Sequence, residues 1–207
     1  MRPMPPFAAT LAAACAFLAL AIPAVAQTVN LRGTISSIAG GTAVVHARDG
    51  QDVRVALSDR TTVVGLEALK LADIPTHSYV GVAALPQEGA QPGAPERAVS
   101  IHVFPEAARG TGDGTRAYDL APNATMTNGA LAETVVETSG NLLTIAYGGG
   151  RKQVLVTPAT SLVRFVPGSL DEVKAGARVV IRGVSAGDGA LEAQRVLVGR
   201  GDVVPAL

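Results

Sequence analysis

The chain has 207 residues, of which 48% are hydrophobic and only 3% aromatic, and its 17 basic side chains are balanced by 17 acidic ones. This length accommodates one or two domains with a buried core. The balanced charge and the scarcity of aromatic side chains argue against a nucleic-acid-binding protein, which needs a basic surface and stacking platforms.

The first 26 residues differ from the rest of the chain. Arg2 precedes an uncharged apolar run over 7–22, Pro23 ends that run, and Ala24-Val25-Ala26 places small residues before a cleavage point. This order predicts a secretory signal peptide cleaved after Ala26, because a spanning helix needs about 20 apolar residues. We therefore expect a periplasmic or secreted protein with no membrane span after cleavage.

The only cysteine, Cys15, lies inside the predicted signal peptide, and Gln27 becomes the new N-terminus. The mature chain therefore lacks a thiol, which excludes disulfides, thiolate metal sites and cysteine nucleophiles from it. Its stability must come from burial and hydrogen bonds.

The sequence repeats itself after about 99 residues. The strand-like residues around Val55 match those around Val154, and the polar turn 58–63 matches the turn 157–162. The offset holds through a strand, a turn and a predicted helix without a gap. Because the order of these features agrees, we predict two copies of one structural unit.

The first copy is predicted to contain five strands and one short helix. Alternating apolar and polar residues indicate the strands, and Asp49-Gly50 is typical of a two-residue hairpin turn. A helical spacing of apolar residues before Pro75 indicates the helix. In chain order these elements are strands Val29–Ile38, Thr42–Arg48 and Asp52–Leu57, helix Leu66–Ile74, and strands Tyr79–Leu85 and Ala98–Phe104.

The segment 105–131 follows and is rich in Gly, Thr, Ala and Pro. We predict that it connects two domains. A plain linker would be more uniformly polar. Tyr118, Leu120 and Met126 therefore indicate that part of the segment packs on a domain.

The second copy repeats the order of the first. Its predicted elements are strands Thr134–Thr138, Leu142–Tyr147 and Lys152–Val156, a short helix near Leu170–Lys174, and strands Arg178–Val184 and Glu192–Val198. Three strands, a short helix and two strands is the order of an OB-type barrel, and closure removes exposed strand edges. Other small closed barrels and sandwiches produce similar patterns.

The predicted fold class is all-β with short helices, arranged as two tandem small OB-like β-barrels after the signal peptide. The predicted divisions are the signal peptide 1–26, a first barrel 27–104, the interdomain segment 105–131, a second barrel 132–200 and a C-terminal tail 201–207.

Several short segments resemble a known group of exported bacterial proteins. These are Gly33-Thr34-Ile35-Ser36-Ser37-Ile38, the turn Asp49-Gly50, Val80-Gly81-Val82, and the run 102–112 together with Met126-Thr127-Asn128. They are similar to segments of the family called domain of unknown function 5666, and the likeness covers most of the mature chain. The resemblance implies an exported β-rich module without an assigned activity, and no catalytic residue is carried over from it.

The interdomain segment contains the candidate ligand site. Gly110, Gly112 and Gly114 could expose backbone N–H groups to an anion, and the flanking arginines would add positive charge. No helix is predicted after this glycine-rich run, which argues against a phosphate-binding loop. The candidate ligand-binding residues are Arg109, Asp113, Arg116 and Tyr118.

A metal site is a second hypothesis. His46 and His77 are isolated in sequence, and His102 alternates with apolar neighbours, so it should point away from the core of the first barrel. If the fold brings them together, His102, Glu106 and Asp113 would form the metal site. Otherwise each histidine is a surface or partly packed side chain.

The sequence lacks the groupings typical of an enzyme. It contains no Gly-x-Ser-x-Gly motif, and Asp171-Glu172 lies where acidic residues favour a helix start. We therefore expect a protein without catalysis or cofactor that binds a small ligand, a glycan or an envelope protein. The alternatives are a periplasmic metal-handling accessory protein and a structural repeat of a larger envelope assembly.

Overall fold

The computed structural model describes residues 28–91, 93–137, 140–185 and 189–206, and the side chains of 135–137 are not described. The predicted signal peptide 1–26 lies outside the described residues. Residues 186–188, between the last two strands predicted from the sequence, also lie outside them. No helix in the described ranges has the length and hydrophobicity needed to cross a membrane.

The described part of the chain is mostly β-structure, with thirteen strands and three single-turn 3₁₀ helices. The strands are β1 Thr28–Ala39, β2 Thr42–Ala47, β3 Asp52–Ala56, β4 Thr62–Ala68, β5 Tyr79–Leu85, β6 Glu96–Val103, β7 Gly114–Ala117, β8 Thr125–Glu137, β9 Gly140–Tyr147, β10 Gly150–Val156, β11 Ser161–Pro167, β12 Arg178–Ser185 and β13 Leu191–Gly199. The 3₁₀ helices are Leu71–Asp73, Glu106–Ala108 and Leu170–Glu172. The prediction of an all-β fold with short helices is confirmed.

Each strand predicted from the sequence has a counterpart among these strands, but the predicted helix Leu66–Ile74 is wrong over its first half. Residues up to Ala68 belong to β4, and the helical part is a single turn at Leu71–Asp73. The equivalent strand of the second copy, β11, was also not predicted. Both strands form because they pair with each other, and such a long-range pairing overrides local helical spacing.

The hydrogen-bonded pairings form two five-strand circuits. In the first, β1 pairs with β2, β2 with β3, β3 with β13, β13 with β12, and β12 with β1. In the second, β8 pairs with β9, β9 with β10, β10 with β6, β6 with β5, and β5 with β8. Each circuit therefore combines the first three strands of one copy with the last two strands of the other.

This exchange differs from the contiguous arrangement predicted from the sequence. Strands β5 and β6 fall within the predicted first domain 27–104, yet they pair with strands that follow residue 124. The segment 105–131 is likewise not a simple connection, because it contains β7 and the start of β8, and β7 pairs with β8. The two copies thus share strands instead of standing side by side.

A pair of equivalent threonines anchors the exchange. The Thr61 hydroxyl accepts from the Ser58 backbone N–H at 3.0 Å and donates to the Ala193 carbonyl in β13 at 3.0 Å. In the second copy, Thr160 accepts from Thr157 N–H and donates to the Ala98 carbonyl in β6 at 2.8 Å. Each turn after a third strand is therefore tied to the last strand of the other copy.

The two circuits meet at β4 and β11, which pair antiparallel. Leu66 faces Phe165 in this pairing, and the two residues are 99 positions apart, like Val55 and Val154. Equivalent residues therefore face each other at the centre of the molecule, as they do on a twofold axis. Strand β4 also pairs with β13, and β11 pairs with β6, so the central strands join the two circuits.

Each circuit has its own buried apolar cluster. Ile35, Val45, Val55 and Ile181 belong to the first cluster. The second cluster includes Val82, Ile101, Leu143, Ile145 and Val154. A smaller third cluster lies at the junction and contains Leu66, Val163, Val180, Leu197 and Val203. This cluster packs β4 and β11 against the outward faces of β12 and β13 in the first circuit.

Candidate functional site

The candidate site is a cavity of about 200 Å³ between the two circuits. On one side, Gly81 of β5 lines the cavity together with its two register partners, His102 of β6 and Asn128 of β8. From the other side Val180 and its register partner Leu197 line it. The segment between β6 and β8 also contributes, and the remaining lining residues are Asn30, Phe104, Thr111, Arg116, Tyr118, Met126, Phe165, Arg182 and Arg195.

His102 lies at the base, or floor, of this cavity, which we call the cleft. It is on the face opposite Ile101, as the alternation predicts, but β11 and the first circuit cover that face and leave His102 only 1% exposed. The expectation of a surface or partly packed histidine is therefore wrong for His102. Its ring stacks on Phe165 with the centroids 5.6 Å apart.

Burial lowers the pKa of His102 to about 4, while a hydrogen bond with the Gly81 backbone acts in the opposite direction. The imidazole is therefore neutral at pH 7, with one nitrogen protonated and the other an acceptor. Its Nδ1 atom has no hydrogen-bond partner in the described part of the chain. An unsatisfied polar atom at a buried position destabilises the fold, so this atom calls for an explanation.

Asn128, which pairs with Gly81 on the side opposite His102, presents a second unpartnered atom in the described chain. Its side chain is 4% exposed, and its Nδ2 donates to the Thr111 carbonyl at 2.9 Å. Its Oδ1 has no partner among the described residues. Gly81 makes room for this oxygen, since a Cβ at that position would lie 2.9 Å from it. The floor of the cleft therefore carries two buried acceptors.

Aromatic side chains are concentrated at the cleft. Only five Phe and Tyr residues follow residue 27. Phe104, Phe165 and Tyr118 line the cavity, and Tyr79 packs edge-on against Phe104 at 5.6 Å. Phe104 and Phe165 are themselves 5.1 Å apart with steeply inclined rings. In a chain with so few aromatic residues, this convergence gives the cleft an apolar wall.

Three arginines also line the cavity. Arg182 and Arg195 are register partners on adjacent strands, and Asn30 is the register partner of Arg182 on its other side. Neither Arg182 nor Arg195 forms an ion pair with a described residue. Arg116 donates to the Gly112 carbonyl at 3.0 Å. Like charges directly opposite each other on a sheet are destabilising, so an anion bound here would relieve the repulsion.

A second cavity of about 310 Å³ adjoins the first. It shares Phe104, Phe165, Thr111, Arg195 and Leu197 with the first cavity, and its other lining residues are Val64, Pro105, Ala108, Val166 and Pro167. This second cavity, or second chamber, is therefore more apolar than the first, and Phe104 and Phe165 lie between the two.

Two of the four predicted ligand-binding residues line the cleft. Arg116 does so, and Tyr118 does so while its hydroxyl accepts from Arg32 at 3.2 Å. Burial raises the pKa of Tyr118, so its hydroxyl stays protonated. Arg32 of β1 also pairs with Asp119 at 2.7 Å. This ion pair holds the segment between β6 and β8, which we call the covering segment, against the first circuit.

The other two predicted residues support the covering segment and do not line the cavity. Arg109 donates to Glu106 at 2.8 Å and to the His77 carbonyl at 3.0 Å. Asp113 accepts from the Tyr79 hydroxyl at 3.2 Å and from the Gly148 N–H at 2.7 Å. These bonds hold the segment against the second circuit.

The predicted metal-binding residues are not brought together. Within the described ranges, no three His, Cys, Asp or Glu side chains form a group that could hold a metal ion. His102 is stacked on Phe165, Glu106 pairs with Arg109, and Asp113 accepts from Tyr79.

Sequence reasoning missed Asn128, both phenylalanines, Arg182 and Arg195 as site residues. One signal was available in the repeat, because His102 corresponds to Leu197 in the second copy, where the strand face is apolar. A difference between copies at a buried position indicates a role that the shared fold does not require. Comparison with known protein families, with curated proteins and with solved structures finds no match to this chain.

Proposed function

We propose that this chain is an exported, non-enzymatic binding protein whose cleft between the two circuits holds a small ligand. The observation that carries the proposal is the pair of buried polar atoms without partners in the described chain, Nδ1 of His102 and Oδ1 of Asn128, which belong to two residues that line one cavity. A bound molecule that donates hydrogen bonds would satisfy both atoms, and binding sites typically combine an apolar wall with a few polar groups of this kind.

We further propose that the architecture is a pair of closed, OB-like five-stranded barrels with exchanged strands. Each circuit of pairings returns to its first strand and encloses one apolar cluster. Such closure would leave few exposed strand edges. Export through a signal peptide cleaved after Ala26 and membership of the domain of unknown function 5666 family remain parts of the proposal.

Binding is favoured over turnover by the state of His102. A general base must lie within hydrogen-bonding distance of an acid or a nucleophile. The Nδ1 of His102 has no such partner in the described chain, and its pKa of about 4 makes it a weak base. The imidazole is therefore suited to accepting a hydrogen bond from a ligand.

The proposal is tested by recording the amide resonances of isotope-labelled protein against a library of small acids, alcohols and amines. We expect at least one class to shift the resonances of Gly81, His102, Thr111 and Asn128 together. Thr111→Trp places a large side chain at the cleft and should abolish these shifts. Thr42→Trp changes an exposed threonine outside the cavity lining and should leave them intact.

Two results would contradict the proposal. The first is a library in which no compound of any charge shifts the cleft resonances. The second is a set of shifts that Thr111→Trp and Thr42→Trp affect equally, since the ligand would then bind elsewhere.

A further inference from the structure

We infer that the ligand of the cleft is a small hydroxylated organic acid built on a flat ring. This inference rests on the proposed binding function and specifies the chemistry of the same site. Three features of the cleft determine it: the type of hydrogen-bonding atom on the floor, the charge of the lining, and the shape of the apolar wall.

The floor requires a ligand that donates hydrogen bonds. A neutral imidazole whose proton is engaged with the Gly81 backbone leaves its other ring nitrogen as an acceptor, and the amide Oδ1 of Asn128 is always an acceptor. A bare carboxylate or phosphate would place acceptors against acceptors. Hydroxyl, amide or ammonium groups are the donors that could satisfy these two atoms.

The charge of the residues that line the cavity favours one of these donor groups over the others. Arg116, Arg182 and Arg195 all line the cavity, and no Asp or Glu is among its lining residues in the described chain. An ammonium group would be repelled by this positive lining, whereas a hydroxyl would not. The arginines themselves match a carboxylate, because a guanidinium donates two parallel hydrogen bonds to it. The ligand therefore carries a carboxylate at one end and hydroxyl donors at the other.

The apolar wall determines what joins these two ends. Phe104 and Phe165 stand between the two adjoining cavities, and Leu197 and Met126 complete the wall of the first. Inclined aromatic rings such as these favour edge-to-face or offset contacts with another ring. A flat aromatic or alicyclic ring fits this wall, with its apolar edge directed toward the second chamber.

The test uses calorimetric titration of the whole protein at neutral pH with four related probes. These are para-hydroxybenzoate, benzoate, para-hydroxybenzamide and para-hydroxybenzylamine, with meta-hydroxybenzoate and quinate added to vary the placement of the hydroxyls. We expect at least one hydroxy acid to bind, and loss of either its hydroxyl or its charge to weaken binding about tenfold or more. The amine should not bind.

Two variants test which residues contact the hydroxyl end and the carboxylate end of the ligand. His102→Leu should reduce the affinity for the hydroxy acid to that for benzoate and leave benzoate binding unchanged. Arg182→Gln should weaken both acids and leave the neutral amide unchanged. Arg151→Gln is the matched control, since it removes an equal charge from an exposed position outside this cavity.

The inference is overturned if the amine or the neutral amide binds more tightly than every acid, or if His102→Leu weakens benzoate and the hydroxy acid equally. In these cases the cleft resonances still respond to some compound, so the proposed binding function stands. If no probe and no library compound affects those resonances, the proposed function and this inference fail together.

Discussion

His102 is a buried polar residue whose side chain is not fully satisfied within the described chain. Its ring is buried and uncharged, and one of its nitrogens lacks a partner in the described chain. The equivalent position in the other copy is Leu197, so the fold accepts a leucine there. The architecture therefore does not require the polar side chain, and the proposed ligand would explain it.

We predict that acid destabilises the protein through His102. The pKa is about 4 in the folded state and about 6.5 in the unfolded state, so between these values the unfolded state binds more protons. Stability is therefore complete above about pH 6.5 and falls by on the order of 3 kcal/mol as the pH approaches 4. Urea denaturation across this range measures the loss.

His102→Leu is the matched variant for this experiment. It should be at least as stable as the parent at pH 7, because it removes an unsatisfied buried polar atom. As the pH falls from 7 to 4.5, it should lose much less stability than the parent. The carboxylates whose pKa is lowered by arginine partners lose those contacts only at lower pH; they are Glu67, Glu106, Asp119 and Glu172. Equal acid sensitivity of parent and variant would show that another group is responsible.

At the level of single strands, equivalent glycines allow the first strand of each copy to bend. A Cβ on Gly33 would lie 2.2 Å from the His46 carbonyl oxygen, and one on Gly129 would lie 2.4 Å from the Ala146 carbonyl oxygen. Each glycine precedes a register shift, between Ile35 and Ser37 in β1 and at the corresponding place in β8. The bend lets one long strand pair with neighbours on both sides of its circuit.

We predict that Gly33→Ala and Gly129→Ala each destabilise the protein by about 1–3 kcal/mol, because the new methyl group forces a backbone carbonyl to move. Gly149→Ala is the control, since its Cβ would meet the Tyr147 ring at 3.4 Å, an ordinary contact. Denaturant midpoints of the three variants provide the comparison. A loss no larger than that of the control would show that the strands can relax around the added methyl.

On the scale of the whole molecule, the exchange of strands makes the two copies one cooperative unit. Neither circuit is complete without strands from the other half of the sequence. The ion pairs at the junction add to this connection, because Arg200 near the C-terminus contacts Glu67 of β4 at 2.9 Å and Glu172 at 2.8 Å. Unfolding one circuit therefore removes strands from the other.

We predict a single thermal unfolding transition. Val55→Ala in the first apolar cluster and Val154→Ala in the second should each lower the midpoint of that same transition, with a loss of about 2 kcal/mol from the cavity they create. Differential scanning calorimetry measures the effect, and the calorimetric and van't Hoff enthalpies should agree. Two separate transitions, each sensitive to only one of the substitutions, would indicate independent domains.

Part of the site could be predicted from the sequence. Arg116 and Tyr118 were identified because the segment that contains them is the part least explained by the repeat. Asn128 and His102 could not be placed together, because they meet only through Gly81, which pairs with both in the folded sheet. Alternation shows which face a side chain occupies, but it does not show what covers that face.

The sequence by itself determined the all-β class, the duplication and the positions of ten strands, because turns and alternation are local properties of the chain. Only the tertiary structure decided that the copies exchange strands, that β4 and β11 exist, and that the cleft lies between the circuits. Partner choice in a sheet depends on contacts between distant segments, such as that of Thr61 with Ala193, and local pattern does not encode them. The candidate site is likewise decided by the tertiary structure, because both halves of the chain are needed to form it.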